Sequence, residues 1–187
     1  KPRTKPNDLI KLQLLKKRMS LSSKDKQYYQ SLMKGYEGEV AFDAYTESLS
    51  TEGIILNDLL FNVNNNILQI DSLIITPDKI HLLEIKNYEG DYYYKSDQIF
   101  TMSDTEIINP LHQLNRSKYL FSQLLQSLRI KAQVIATVVF VNPHFMLYQA
   151  PIEQPYIFPT QIKPYLKEIS SKSNHLNETH WKLAEKL

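Results

Sequence analysis

The stretch that decides the fold is Gln69-Ile70-Asp71-Ser72-Leu73-Ile74-Ile75-Thr76, followed after Pro77-Asp78-Lys79 by Ile80-His81-Leu82-Leu83-Glu84-Ile85-Lys86. Both halves are rich in β-branched and aliphatic residues, and a turn-forming Pro-Asp pair lies between them, so they read as a β-hairpin. Paired about that turn, Asp71 falls opposite Glu84 and Gln69 opposite Lys86. Side chains alternate along a strand, so Gln69, Asp71, Glu84 and Lys86 share one face at one end of the hairpin. The same face continues toward the turn as Leu73, Ile75, Ile80 and Leu82. The opposite face carries Ile70, Ile74, Leu83 and Ile85, with Ser72 and His81. Both faces are largely apolar, so the hairpin is expected at the centre of a sheet covered on both sides. Pro77 does not suit a primed two-residue turn, so a bulge that shifts the pairing by one remains an alternative.

Working outward, Asn7 or Asp8 is expected to cap a first helix that runs to about Met19. Ser22 followed by Asp25 resembles a capping box opening a second helix, which Gly35 and Gly38 are expected to interrupt, permitting close backbone contact or a kink there. Beyond them a helix is expected to about Leu49, burying Val40, Ala41, Ala44 and Tyr45, and Leu49 if it reaches that far. A strand over 54–61 precedes the hairpin. A Tyr-rich polar excursion over 88–106 is expected to hold one short hairpin. Asn109-Pro110 opens a long amphipathic helix, 134–141 is a continuous apolar strand, and 142–159 reads as irregular. Short helices are expected near 160–169 and 177–187. The core order is α-β-β-β-α-β with extra helices at both ends, an α/β fold in which helices flank a mixed central sheet. The chain divides into a basic helical extension over 1–34 and a single domain over 35–187, with its motif-bearing core at about 35–142.

Charge is unevenly placed. Residues 1–34 hold ten Lys or Arg against two acids, a net +8, while the remainder carries −6. A basic segment attached to a carboxylate-rich body suits a polyanionic partner, although a solvated basic helix would look the same. The chain has no cysteine, which excludes disulfide frameworks, Cys-zinc sites, iron–sulfur clusters and thiol nucleophiles. No apolar run approaches the roughly 20 residues needed to cross a bilayer, and no membrane contact is evident. A cytoplasmic setting is the expectation, with an upstream anchor or signal left open because the first residue is Lys1 rather than Met. Phosphate-binding glycine loops and nucleophile-elbow motifs are missing.

Two carboxylates side by side in a covered sheet repel each other and resist desolvation. Lys86 can neutralise one. A hard divalent cation bridging Asp71 and Glu84 would compensate better, because magnesium takes oxygen ligands, keeps waters and is commonly held by one or two carboxylates. An ammonium beside a metal-bound water suits attack on a phosphodiester. A structural Asp–Lys–Glu network at a sheet end is the competing reading.

Several spaced motifs extend the picture. They are Gly35-x-x-Gly38-Glu39, Asn57-Asp58, Gln69-Ile70-Asp71, Glu84-Ile85-Lys86-Asn87-Tyr88-x-Gly90 and Asn109-Pro110-x-x-Gln113. In this order they resemble the nuclease-related domain (NERD) family of the PD-(D/E)XK nuclease superfamily, over about 35–130. The resemblance implies a restriction-endonuclease-like core and magnesium-dependent hydrolysis of DNA, with manganese as a substitute cation. It implies that Asp71 and Glu84 hold the metal with the Ile85 carbonyl as a third oxygen. Lys86 would orient the attacking water, and Glu39 would bind metal or position water. Gln69 and Gln113 would contact substrate or a neighbouring water, and Asn109 substrate. Apart from the resemblance, the basic segment over 1–34, Lys17 and Arg18 within it, is expected to meet the phosphate backbone. Ser117 stands where some superfamily members carry Tyr, and Ile70 replaces the usual Pro before the first Asp. DNA is the expected partner, with RNA and a homodimer left open. The alternative is a non-catalytic nucleic-acid-binding or interaction module that keeps the fold.

Overall fold

The structure is a computed structural model that describes residues 3–47, 53–170 and 175–187. Two helices open the chain, α1 (Asn7–Arg18) and α2 (Ser23–Glu47). Strands β1 (Ile54–Val63), β2 (Asn66–Ile75), β3 (Lys79–Lys86), β4 (Gly90–Lys95), β5 (Gln98–Thr101) and β6 (Glu106–Ile107) follow. Then come α3 (Pro110–Ser127), β7 (Gln133–Phe140), β8 (Phe145–Tyr148), β9 (Tyr156–Ile157), α4 (Ile162–Ser170) and α5 (Glu178–Lys186). The main sheet has the order β1-β2-β3-β7-β9. The pairs β1–β2 and β2–β3 are antiparallel, and β3–β7 and β7–β9 are parallel. The sheet is therefore mixed, and α2, β1, β2, β3, α3 and β7 supply the α-β-β-β-α-β core.

The β2–β3 register is the expected one, running from Ser72 opposite Leu83 to Ile75 opposite Ile80 without a bulge. Thr76 closes the turn, its hydroxyl donating to the Lys79 carbonyl at 2.9 Å and its amide to the same oxygen at 2.9 Å. Two apolar clusters cover the two faces. Leu73, Ile75, Ile80 and Leu82 pack with Leu114 and Phe121 of α3. Ile74, Leu83 and Ile85 pack with Phe42 of α2 and with Ile162, Leu166 and Ile169 of α4.

One member changes sides: Ile70 packs with the α3 cluster rather than with Ile74. The cause lies at the next position. Asp58 stands between the pairs Asn57–Ser72 and Leu59–Ile70, in register with Asp71, and takes φ 53°. That left-handed residue kinks the strand pair, and side-chain alternation slips across it.

Three further readings need correction. The helix α1 starts at Asn7 itself, with Pro6 before it and no side-chain cap. The helix α2 runs unbroken through Gly35 and Gly38, so the expected interruption is not there. Its buried residues are Gly38, Phe42 and Thr46, one per turn, while Val40, Ala41 and Ala44 are exposed and Tyr45 is half-buried. Leu49 lies outside the described residues. Gly38 sets this face, because a Cβ there would come within 2.5 Å of the Asn87 Cβ just past β3. Of the two roles open to these glycines, close backbone contact holds at Gly38 and the kink does not occur.

The Tyr-rich segment forms the β4–β5 hairpin, turning at Ser96 and Asp97, both with positive φ. It belongs to a second sheet, β6-β5-β4-β8, which draws β8 out of the stretch read as irregular.

Candidate active site

The site lies where β2 and β3 part. Their ladder ends at Ser72 and Leu83, and the next residue of β2 turns its side chain into the gap. Asp71 Oδ2 accepts the Ile85 amide at 2.8 Å. A residue's N–H and C=O point to the same side of a strand, so the Ile85 carbonyl also faces this gap. Glu84 is 2% exposed, and its Oε1 accepts from Lys86 Nζ at 2.8 Å. Lys86 Nζ also donates to Gln113 Oε1 on α3 at 3.0 Å. Gln113 is exposed, so the site opens to solvent past Lys86 and the start of α3.

The other wall is α2. Glu39 and Asp43 are one turn apart on its inner side, and one guanidinium joins them. Arg3 donates from Nη1 to Glu39 Oε2 at 2.9 Å, and from Nε and Nη2 to the two oxygens of Asp43, each at 3.0 Å. Its Nη2 also reaches the Asp71 carbonyl at 3.1 Å. Asn57 donates to Asp43 Oδ1 at 3.1 Å and accepts from the Ser72 hydroxyl at 2.8 Å. This chain of bonds ties α2 to β1 and β2 directly behind Asp71.

The electrostatics follow from burial. Burial, with Asp71 nearby, pushes Glu84 up to about 7 against the opposing pull of Lys86. Burial and Asp71 likewise push Glu39 up to about 7, with Arg3 pulling the other way. Asp71 is also raised by burial, although the Ile85 amide, Lys86 and Arg3 restrain it. Burial opposes the charge on Lys86, but Glu84, with Tyr88 and Asp71, holds the group above its ordinary value. Lys86 is therefore a fixed cation at neutral pH, unsuited to act as a base.

Asp71 and Glu84 each use one oxygen for the bonds above, and Glu39 uses one for Arg3. Their second oxygens carry no hydrogen bond among the described residues. Since no buried side-chain oxygen there lacks a partner, those three oxygens touch solvent. Two buried carboxylates with free, solvent-touching oxygens beside a strand carbonyl are a donor set that suits a hard divalent cation. Among the described residues no three His, Asp or Glu side chains gather closely enough to hold a metal. Glu39 faces the gap from α2 with one oxygen held by Arg3 and the other free.

Family membership follows from a sequence match. The nuclease-related domain, NERD, matches residues 34–141, more than half of the chain. The chain belongs to the NERD family. The match contains Glu39, Asp71, Glu84, Lys86 and Gln113. No curated protein matches the chain. Among solved structures it is similar to Can2 from Sulfobacillus thermosulfidooxidans in complex with cyclic tetra-adenylate. That likeness has 13% identity and a TM-score of 0.48, and covers 86% of this chain and 45% of Can2. The chain thus spans less than half the length of that protein.

The remaining expected contacts scatter. Gln69 is exposed on the β1–β2 arm of the NERD core, beyond the kink at Asp71. Asn109 is 2% exposed and fully engaged: it accepts from Leu111 N at 3.0 Å, caps α3 and donates to the Asp97 carbonyl at 2.9 Å. It holds the helix that presents Gln113, and its own side chain does not reach the surface. Lys17 and Arg18 are exposed at the end of α1, where Lys17 lines a groove with Lys16 and Tyr29. His81 is buried against the Tyr165 hydroxyl at 3.0 Å, on the face away from the carboxylates. Sequence reasoning missed Arg3 and Asp43. The spacing of Asp43 four residues after Glu39 was a usable signal, since it puts both on one helix face.

Proposed function

We propose that this chain is a metal-dependent phosphodiesterase that cleaves DNA, with magnesium as its cation and manganese as a substitute. The observation that carries the proposal is the pair of buried carboxylates, Asp71 and Glu84, opened to solvent where two strands part and flanked by the fixed cation of Lys86. NERD membership supports the same chemistry. Asp71, Glu84 and the Ile85 carbonyl would hold the ion. Bound there, it would neutralise phosphate charge and acidify a water, the usual contribution of such an ion.

The rest of the work falls to side chains. Lys86 Nζ, steadied by Glu84 and Gln113, places a positive charge where negative charge develops on the phosphate. Glu39 presents its free oxygen from α2 and, with a pKa near 7, is suited to take a proton from water. In the reaction the water oxygen bonds to phosphorus, the bridging phosphorus–oxygen bond breaks, and the leaving oxygen takes up a proton. Lys17 and Arg18 would meet the DNA backbone away from the reacting phosphate. Such contacts make affinity fall steeply with salt.

The test is cutting of supercoiled and linear DNA by the full chain, with magnesium or manganese against chelator, beside Asp71→Ala and Lys86→Ala. Metal-dependent cutting lost in both variants supports the proposal. Retention of DNA without cutting, unchanged by either variant, would instead show a binding module on a nuclease fold.

A further inference from the structure

The strongest unexplained feature is the arginine buried behind the carboxylates. Arg3 reaches the site from far along the chain, 36 residues before Glu39 and outside the NERD match that begins at residue 34. Its side chain is 2% exposed, less than either acid that it holds. Both Asp43 oxygens, one Glu39 oxygen and the Asp71 carbonyl accept from it. A guanidinium so enclosed cannot touch a DNA phosphate, so it is not part of a basic arm. Nor does it exclude a cation, because Asp71 and Glu84 keep their free oxygens with Arg3 in place.

What Arg3 does fix is geometry. It fastens one oxygen of Glu39 and leaves the other free. The same planar group is locked to Asp43 in two-point fashion and to the backbone of the residue that opens the site. Lysine, a point charge with flexible donors, cannot reproduce that fork. We infer that Arg3 is a positioning residue of the site: the N-terminal segment supplies a clamp that sets the Glu39 carboxylate against the Asp71 backbone. The inference rests on the nuclease reading. It also implies that the site is incomplete in a fragment limited to the NERD match.

The experiment compares the full chain with Arg3→Ala and Arg3→Lys, below the melting transition of each protein. One readout is steady-state DNA cutting. A displaced carboxylate is expected to lower kcat by about 100-fold, with KM for DNA unchanged and Arg3→Lys recovering little. The second readout needs no activity. The chain has four arginines, and NMR should show one side-chain Nε–H in slow exchange that is lost in Arg3→Lys and in Asp43→Asn. An unchanged kcat in both Arg3 variants would overturn the inference, as would a raised kcat, which would mark a blocking strap. A raised KM with a weaker salt dependence and unchanged kcat would also overturn it, because that marks a phosphate contact. Failure of the unaltered chain to cut would overturn the nuclease reading and this inference with it. Cutting by the unaltered chain and Arg3→Ala alike would overturn this inference alone.

Discussion

Replacing Glu84 by Gln should make the metal-free protein more stable at pH 8 while removing its activity. Glu84 is 2% exposed, and burial beside Asp71 moves its pKa from 4.5 to about 7. The raised value means that the folded state holds a proton which the unfolded state has released. The associated stability is complete below about pH 4.5 and is lost as pH rises toward 7. Across that interval the cost of an ionised Glu84 reaches roughly 3 kcal/mol. Glutamine keeps the shape and an oxygen for Lys86 but never ionises, so the variant escapes this cost. Its advantage should be about 1 kcal/mol at pH 5 and grow by about 2 kcal/mol by pH 8. Melting in chelator at both pH values measures it. For a chain of this size the pH 8 advantage corresponds to a rise of roughly 5–10 °C in Tm. An unaltered protein that melts above the variant at pH 8, or a difference that does not change with pH, would refute the reasoning.

The same sign governs the unaltered chain, whose Tm in chelator should fall from pH 5 to pH 8 as Glu39 and Glu84 ionise. Added magnesium should restore more at pH 8 than at pH 5, which a thermal melt with and without the ion would show. The two α2 glycines should respond oppositely. A Cβ at Gly38 would meet Asn87 at 2.5 Å, so Gly38→Ala should lose about 1–3 kcal/mol in urea unfolding. Gly35 has nothing within 4 Å in mid-helix, so Gly35→Ala should gain about 0.5–1 kcal/mol in the same assay. Asn109→Ala should cost about 1–2 kcal/mol through the lost cap and raise KM for DNA little, since the side chain is buried in the cap of α3.

The central hairpin was legible because its evidence is local. Alternating aliphatic residues and a Pro-Asp turn specify a register in which a one-residue slip would expose a whole apolar face. That register, with the motifs around it, placed Asp71, Glu84 and Lys86 together. The kink that inserts Asp71 between the strands was not legible, because it depends on Asp58 adopting a left-handed conformation in the neighbouring strand. The α2 face was misread for a related reason. Gly38 is buried by the approach of Asn87, a partner from beyond β3, and periodicity within the helix carries no trace of it. The second sheet escaped notice because β8 is four residues long and acquires its form from β4. Arg3 was hidden among ten cations in the first 34 residues. Only the fold distinguishes it, by bringing it to acids 36 and 40 residues away.

In the proposed function Asp71 and Glu84 form one divalent-cation site. Titration of chelator-stripped protein with manganese at pH 8, followed by electron paramagnetic resonance, measures it. One bound ion per chain is expected, displaced by magnesium and lost in both Asp71→Ala and Glu84→Gln. Absence of a bound ion, or binding that survives both substitutions, would contradict it.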